Sequence, residues 1–458
     1  MASTDPLLAI RNQGPIECGE DAAQHFGFDK GYRNLNHGSF GTYPQTLRPI
    51  VSHFQIRAEA RPDAFIRYEE PTLLDEAREA IASYVHAPVE TCVFVPNATT
   101  GINTILRNLV YQPGDIIIYF DTVYGSCEKT IRYITETTPA EAAKIKYKYP
   151  VSDDFLCNAL ESTIASLRRE GKNPRLALFD TIVSLPGVRM PFERLTSICK
   201  AGKVLSLIDG AHGVGHIPLD LTALDPDFFV SNCHKWLYVP RGCAVLYVPL
   251  RNQDVMRSTL PTSHGFVPKL REGEEPITNP LPPAKGKSDF VVGFEFVGTT
   301  DNSAYFCVPA ALEWRQHLTW GGTKGEEAVM GYMHHLAKRA GEIVATALGT
   351  EVLENEAGTL GQCAFANVRL PLVGAEVLTS GETGEWVLVA QWIARTLAEK
   401  YDTFIAIIFF GGAWWMRLSA QVYLTERDFE WAGEMLKEVC ERVRRGEWKA
   451  GKAVNGSS

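Results

Sequence analysis

Between Thr91 and Pro249, short apolar runs alternate with helix-like stretches, and this alternation constrains the fold more than any other feature. The runs are TCVFV, GDIIIYF, RLALFD, VLSLID, DFFVS and CAVLYV, each bounded by Gly, Pro, Asp or Asn. Continuous apolar strands that are separated by helices form a mostly parallel sheet with both faces covered. The sequence therefore predicts an α/β fold.

The ends of these predicted strands are the first place to look for chemistry, because ligands of such sheets bind at the carboxyl ends of the strands. Polar residues close most of the runs: Asn97 and Thr99, Tyr124, Asp180 to Ser184, Asp209 and His212, and Ser231 to Lys235.

The rest of the chain suggests four segments: an N-terminal arm (1–45), a large domain (46–310), a small C-terminal α/β domain (311–446) and a disordered tail (447–458). In the small domain, residues 322–348 and 426–443 predict helices, and 362–372 and 403–418 predict strands. The segment 261–288 has six prolines and no apolar period. A loop of that length is usually functional or disordered, so we expect a substrate lid.

Charge and cysteine spacing exclude several classes of protein. The net charge of −9 argues against nucleic acid or an anionic membrane surface as a partner. The sequence has neither the features of a signal peptide nor an apolar run long enough to span a membrane, which predicts a cytoplasmic protein. The ten cysteines contain no C-x-x-C pair, so neither a zinc module nor a disulfide framework is expected.

Two neighbouring strand ends carry the strongest chemical signal, Asp209-Gly-Ala-His212 and Ser231-Asn-Cys-His234-Lys235-Trp236. A buried lysine beside another cation has a lowered pKa and forms an imine with an aldehyde. An aspartate on the adjacent strand supplies the anion that holds a pyridine nitrogen protonated. The pair predicts a pyridoxal 5′-phosphate (PLP) site, although Asp209 alone would more often be a turn or helix-capping residue.

A phosphate site is predicted where Val95-Pro-Asn-Ala-Thr-Thr-Gly leaves a strand and opens a helix. The free N–H groups of Ala98, Thr99 and Thr100 and the threonine hydroxyls would face an anion there. An ordinary helix cap is the alternative. Tyr124, which closes the next strand, is placed to stack on a planar ring; the alternative is a boundary aromatic with its hydroxyl in water.

Six motifs together resemble class V aminotransferase-fold enzymes, and specifically their isopenicillin-N-epimerase-like branch. They are NLNHGSFGTYP, DGAH, SNCHKWL, PRG, GTTD and MRLSAQVY, and the resemblance covers roughly residues 32 to 440. It implies PLP fold type I (aspartate aminotransferase-like), with a mostly parallel seven-stranded sheet in the large domain. It also implies a homodimer with shared active sites and a small-molecule amino-acid substrate.

The resemblance also assigns roles to individual residues. Lys235 would be the Schiff-base lysine, Asp209 would pair with the pyridine nitrogen, and His212 and Tyr124 would lie against the ring. Other roles would fall to phosphate ligands (Ala98, Thr99, Ser231 and His234), a residue reaching the partner subunit's cofactor (Thr299), a ligand of the substrate carboxylate (Arg417) and residues lining the substrate entrance (Asn36 and His37).

Several of these assignments have structural alternatives. Arg417 is alternatively a strand ion-pair residue, Thr299 a turn residue and His37 a histidine with satisfied hydrogen bonds. The spacing of Gly210–Gly215 does not fit a dinucleotide loop. His212, His216 and His234 do not share a helical face, so no metal site is predicted.

Within the branch, the comparison we favour is with the fungal hercynylcysteine sulfoxide lyases, through the NLNHGSFGTYP and SNCHKWL segments. It implies β-elimination from a cysteine conjugate, with pyruvate and ammonia as products. The alternatives are decarboxylative C–C bond formation, a Mannich-type cyclase, an epimerase and an aminotransferase. A cysteine desulfurase is disfavoured because residues 261–288 contain no cysteine. The Trp414–Trp415 pair would offer a face to a cationic betaine, or else pack in the core.

Overall fold

The computed structural model of the protein describes residues 7–283, 286–378 and 384–451. Its strands are β1 (Ile16–Glu17), β2 (Cys92–Val95), β3 (Asp115–Phe120), β4 (Glu141–Ile145), β5 (Asn173–Asp180), β6 (Leu205–Asp209), β7 (Phe228–Asn232), β8 (Ala244–Tyr247), β9 (Leu318–Trp320), β10 (Thr323–Lys324), β11 (Phe365–Val373), β12 (Ala406–Phe410) and β13 (Ala413–Ser419).

The longer helices are α1 (Arg48–Ala60), α2 (Glu70–Tyr84), α3 (Ala98–Asn108), α4 (Gly125–Thr137), α5 (Asp153–Arg169), α6 (Phe192–Ala201), α7 (Val308–Arg315), α8 (Glu326–Leu348), α9 (Glu385–Lys400) and α10 (Glu426–Arg444). Shorter α-helices span Leu8–Arg11, Glu20–Ala23, His37–Phe40, Pro62–Ala64, Leu221–Leu224, Cys233–Trp236, Asp289–Glu295, Ser303–Phe306 and Gly374–Val377.

The large sheet has seven strands in the order β2-β8-β7-β6-β5-β3-β4. All neighbours pair in parallel except β8, which is antiparallel to β2 and β7. The mostly parallel seven-stranded sheet is thus confirmed, and each of the six apolar runs forms one strand. The seventh strand, β4, lies at the sheet edge and is half exposed, so its sequence carries no apolar run.

A smaller antiparallel sheet, in the order β11-β13-β12, forms the core of the C-terminal domain. The region 403–418, predicted as one strand, contains two, because Gly411 and Gly412 make a two-residue hairpin turn with positive φ angles of 60° and 78°. Such turns require residues that tolerate positive φ. The predicted helix at 322–348 begins four residues later than expected, after β10, and α10 matches its prediction to within one residue.

The N-terminal arm packs against the C-terminal part of the chain. Strand β1 pairs in parallel with β9, and the Ser419 N–H donates to the Leu35 carbonyl at 3.0 Å. At the other end, the prediction of disorder from residue 447 is wrong for Glu447–Gly451, which form a short 3₁₀ helix. Trp448 is only 2% exposed, and burial of its indole fixes this segment. Residues 452–458 lie outside the described residues.

Two further properties bear on the sequence expectations. Across the described ranges, none of the helices combines the length and apolarity needed to cross a bilayer. All ten cysteines are buried and unpaired. Cys92, Cys243 and Cys307 are core residues, as their apolar surroundings in the sequence indicate.

Candidate active site

A cavity of about 150 Å³ opens at the carboxyl ends of β5, β6 and β7. Predicted site residues that line it are Ala98, Thr99, Tyr124, Asp209, His212, His234 and Lys235. The carboxyl ends of β5, β6 and β7 therefore bring most of the predicted site residues together, as expected for an open α/β sheet.

Lys235 lies in the short helix Cys233–Trp236, immediately after β7. Its Nζ is 3.3 Å from Nε2 of His212. Burial, and next the nearby Arg417 cation, lower the pKa of Lys235 to about 8. A substantial fraction of the amine is therefore uncharged near neutral pH, which makes it a competent nucleophile toward an aldehyde.

His212 contacts Lys235 through a defined nitrogen. The Trp236 indole N–H donates to Nδ1 of His212 at 3.2 Å. Burial, and next the Lys235 cation, hold the pKa of His212 well below its usual range, so the ring is neutral. With Nδ1 acting as an acceptor, the single proton of the ring resides on Nε2, which can donate to Lys235 Nζ when that amine is uncharged.

Asp209 ends β6 and is 2% exposed. Its Oδ1 accepts the Ala211 N–H at 3.0 Å, and its Oδ2 accepts the Cys127 S–H at 3.4 Å. Burial raises the pKa of Asp209, whereas these two hydrogen bonds and Lys235 oppose the rise. The Cys127 contact was not predicted, because nothing in the sequence indicates which residue of α4 faces β6.

The predicted phosphate site offers fewer free N–H groups than expected. The Ala98 N–H donates to Asn232 Oδ1 at 2.9 Å, and the Thr100 N–H donates to Asn97 Oδ1 at 2.8 Å. The expectation of free N–H groups is therefore wrong for Ala98 and Thr100, since two asparagine amides occupy them. Thr100 also lines a neighbouring cavity instead of this one. Of the three, only the Thr99 N–H lacks a partner within the described chain.

Ser231 does not face the cavity. It is fully buried, where its Oγ donates to the Gly210 carbonyl and accepts the Val214 N–H at 3.0 Å. The next residue, Asn232, lines the cavity in its place. Successive side chains of a strand point to opposite faces, so only one of the two has access to the cavity. Asn232 is thus a site residue that sequence reasoning missed.

His234 lines the cavity beside Asn232. Its Nδ1 lies 2.8 Å from the Cys243 carbonyl, to which it donates. Burial lowers the pKa of His234 to about 4, which leaves Nε2 without a proton in the absence of an anion. A phosphate dianion would favour the protonated ring, so the predicted role at the phosphate stays a prediction.

Arg417, on β13, is a buried cation with no acidic partner among the described residues. Its Nη atoms donate to the Ser184 carbonyl at 2.7 Å and to Asn36 Oδ1 at 2.8 Å, and its Nε–H has no partner. The guanidinium also lies 4.5 Å from the Phe365 ring. Burial lowers the pKa of Arg417 to about 10. The alternative of an ordinary ion-pair residue is therefore wrong.

Asn36 and His37 position other groups and, like Arg417, are not among the residues that line the cavity, so their role at a substrate entrance stays a prediction. Asn36 Oδ1 holds Arg417. Nε2 of His37 donates to the Lys235 carbonyl at 2.7 Å, and Nδ1 accepts the Tyr423 hydroxyl at 2.9 Å. Burial lowers the pKa of His37 to about 3. The alternative, a histidine with satisfied hydrogen bonds, describes it.

The segment that follows His37 packs closely against the backbone of the short helix Cys233–Trp236, which carries Lys235. At Gly41, with φ 66°, an added Cβ would lie 1.8 Å from the His234 carbonyl oxygen. Only glycine fits a positive φ with so close an approach. The NLNHGSFGTYP motif therefore packs directly against the backbone of the helix that carries Lys235.

Three other predicted features have mixed outcomes. Tyr124 caps α4 and lines the cavity, so its ring is available for stacking. Thr299 is exposed and does not line the cavity of its own chain, and its role in a partner's site stays a prediction. Trp414 and Trp415 pack in the small-domain core against Phe409 and Phe410. No described residue of 261–288 lines the cavity, so the lid also stays a prediction.

The residues of the cavity fit PLP. They provide a lysine with a lowered pKa, a hydrogen-bonded carboxylate for the ring nitrogen, and an unpartnered N–H at the start of α3 for a phosphate. A buried cation without a counter-ion is available for a substrate carboxylate. Together with the sheet order, these features define a PLP-dependent enzyme of fold type I.

Comparisons with known proteins identify the family. The aminotransferase class-V family model matches residues 67–275. An L-cysteine desulfhydrase-like protein, lolT1 of Epichloe uncinata, is 40% identical and covers 94% of this chain and 98% of its own. The hercynylcysteine sulfoxide lyase of Schizosaccharomyces pombe is 29% identical over 92% and 98% of the two chains. The chain belongs to the class V aminotransferase family, as its motifs imply.

Solved structures support the fold. A C-DES variant with glycine covalently linked to its PLP cofactor superposes with a TM-score of 0.68 at 16% identity, covering 90% of this chain and 97% of that one. At this identity the likeness concerns the fold alone.

Proposed function

We propose that the protein is a C–S lyase that acts by β-elimination on a cysteine conjugate of the hercynylcysteine sulfoxide type: the Cβ–S bond breaks, the sulfur leaves as a sulfenic acid, and the released aminoacrylate takes up water to give pyruvate and ammonia. The observation that carries an amino-acid substrate is the unpaired Arg417 cation, close enough to Lys235 to lower its pKa. The two relatives support the sulfur chemistry, since their names refer to cysteine or a cysteine conjugate.

Arg417 would bind the substrate α-carboxylate. Its guanidinium is held in place by the Ser184 carbonyl and by the side chains of Asn36 and Ser39, at 2.7 to 2.9 Å. A planar fork with its orientation fixed binds a carboxylate with little loss of side-chain entropy. Burial also strengthens the attraction between the two charges.

Lys235 would move the proton at the α-carbon. PLP, when bound, withdraws electrons from the substrate α-carbon and so acidifies its C–H bond. With a pKa of about 8, the Lys235 amine can accept that proton near neutral pH. His212 orients the amine through Nε2, and Asp209 would keep the ring nitrogen positively charged.

The test separates the candidate reactions by their products. The purified enzyme is incubated with cysteine-conjugate sulfoxides and with free L-cysteine, and pyruvate, ammonia and carbon dioxide are measured. We expect pyruvate and ammonia in equal amounts, and none from Lys235→Ala. Carbon dioxide without pyruvate would contradict the proposal and favour decarboxylative bond formation; inversion of the α-carbon without pyruvate would favour an epimerase.

A homodimer with shared active sites is part of the proposal. Thr299 is exposed in its own chain, which leaves it accessible to a partner subunit. We expect a dimer by light scattering, and a loss of PLP affinity of about tenfold in Thr299→Ala, from one charge-assisted hydrogen bond. Thr300→Ala is the matched control. A fully active monomer would refute this assignment.

The ten buried, unpaired cysteines support a cytoplasmic location, where thiols stay reduced. Tagged protein that fractionates with a secreted or organellar marker would contradict it.

A further inference from the structure

Asp180 is an acidic residue of the cavity to which the mechanism above gives no role. It ends β5 directly opposite Asp209, which ends β6. Neighbouring strands lie about 4.8 Å apart, so the two carboxyl groups are close. Both are buried, 4% and 2% exposed, and both line the cavity. Two carboxylates in such a site do not both ionise readily, and they retain one proton between them.

Hydrogen-bond donors decide which of the two keeps the proton. Asp209 accepts two hydrogen bonds, from the Ala211 N–H and the Cys127 S–H. Asp180 accepts none from the part of the chain that the structure describes. A buried carboxylate is stable only when donors solvate it, whereas a neutral acid carries its own donor. The charge therefore belongs on Asp209 and the proton on Asp180.

The other groups that face Asp180 do not change this assignment. Tyr147 and Tyr149 are phenols whose pKa values are raised by burial, and the Tyr147 hydroxyl contacts Thr122 and Tyr149 instead of the carboxyl group. Two neighbours remain. The Cys127 thiol is also kept neutral by burial, and the Lys235 charge acts on both Asp180 and Asp209. Burial, and next the charge of Asp209, raise the pKa of Asp180 well above its usual range.

We propose that Asp180 is a neutral carboxylic acid in the resting site and that its O–H donates a hydrogen bond to an oxygen of the bound ligand. The proposal deepens the proposed function and rests on the PLP site at Lys235. It leaves Asp209 as the single fixed anion of the cavity. The positive charge of Arg417 then remains for the substrate carboxylate.

The test measures the charge on Asp180 through Lys235. The apoprotein is mixed with PLP, and the rate at which visible absorbance develops is recorded against pH, because only the uncharged amine captures the aldehyde. Removal of a true negative charge near Lys235 shifts the midpoint down by about one to three pH units. We expect no shift for Asp180→Asn, in which an amide replaces a neutral acid. A downward shift of this size in Asp180→Asn would overturn the proposal.

Asp121→Asn is the matched control. Asp121 follows β3 but is half exposed and paired with Lys144 at 3.3 Å, so its charge is screened from the cavity. This variant should keep the wild-type midpoint.

Infrared spectroscopy tests the same proton without cofactor capture. Wild-type protein at pH 7 should show a protonated-carboxyl carbonyl band that Asp180→Asn lacks and Asp121→Asn keeps. Glu70, whose pKa burial raises to about 7, contributes a second band that all three proteins share. Identical spectra for wild type and Asp180→Asn would refute the neutral acid. Neither readout depends on turnover, so absence of pyruvate would refute the lyase and leave Asp180 untouched.

Discussion

Two of the buried arginines, Arg315 and Arg417, have surroundings that differ in one respect, and we predict different effects on stability when each is replaced by methionine. Arg315 is fully buried and donates to both carboxylate oxygens of Glu326 at 2.6 Å. Arg417 is equally buried but has no acidic partner among the described residues. Methionine matches the length of the arginine stem and fills irregular space.

The magnitudes follow from these contacts. Burial lowers the pKa of Arg417 from its ordinary value to about 10, so its charge costs the folded state about 3 kcal/mol. The cost applies in full at pH 7.5, because that pH is below both values. Arg417→Met removes this cost, but it also loses three hydrogen bonds, about 1 kcal/mol each, and the two effects offset each other. We expect its unfolding free energy within about 2 kcal/mol of wild type. Arg315→Met leaves the partly exposed Glu326 carboxylate without its cation and the Trp236 and Gly215 carbonyls without a donor, which together costs about 3–5 kcal/mol.

The assay is urea unfolding of both apoproteins, monitored by tryptophan fluorescence at one protein concentration, since bound cofactor adds stability by mass action. In parallel, Arg417→Met should lose at least about 30-fold in kcat/KM, from the lost recognition of the carboxylate. If Arg417→Met destabilises the fold as much as Arg315→Met does, Arg417 is a structural residue and its assignment to the substrate fails.

Three further predictions concern individual residues. Asn232→Ala and Ser231→Ala should each lower the unfolding free energy by about 1–3 kcal/mol, because each leaves a buried backbone N–H unpaired, but only Asn232→Ala should also weaken PLP binding; weaker PLP binding in Ser231→Ala alone would place Ser231 at the phosphate. Gly41→Ala should abolish PLP capture through its clash with the His234 carbonyl, and Gly14→Ala, which meets nothing within 4 Å, should not; full capture by Gly41→Ala would contradict the packing under Lys235. As the pH is lowered from 6.5 to 5, the unfolding free energy should decrease, because the unfolded chain binds protons that buried histidines such as His37, with a pKa of about 3, do not bind in the fold. His37→Gln should reduce this slope by about 1.4 kcal/mol per pH unit. An unchanged slope would show that His37 is protonated in the fold.

The large sheet was predictable because most of its strands are buried on both faces, and such strands are apolar throughout. Edge strand β4 was not, since a half-exposed strand carries no such run. The Gly411–Gly412 turn was readable as a hairpin signal between two β-rich segments, and treating 403–418 as one strand overlooked it.

The site divides along the same line. That Lys235, Asp209 and His212 line one cavity was predictable, because strand ends meet at one edge of a parallel sheet. Which of two adjacent residues faces the cavity was not, as Ser231 and Asn232 show, because local sequence does not fix the phase of a strand. Contacts between distant segments were equally out of reach, among them those of His37 with Tyr423 and the lysine helix.

The identity of the lysine that holds PLP is the central claim, and one labelling measurement tests it directly. Holoprotein is reduced with borohydride, which fixes PLP to the lysine that holds it, and is then digested and mapped by mass spectrometry. We predict one labelled peptide, carrying the label on Lys235, and no label in Lys235→Ala. A label on another lysine, or an unlabelled wild-type protein that still turns over its substrate, would contradict the account.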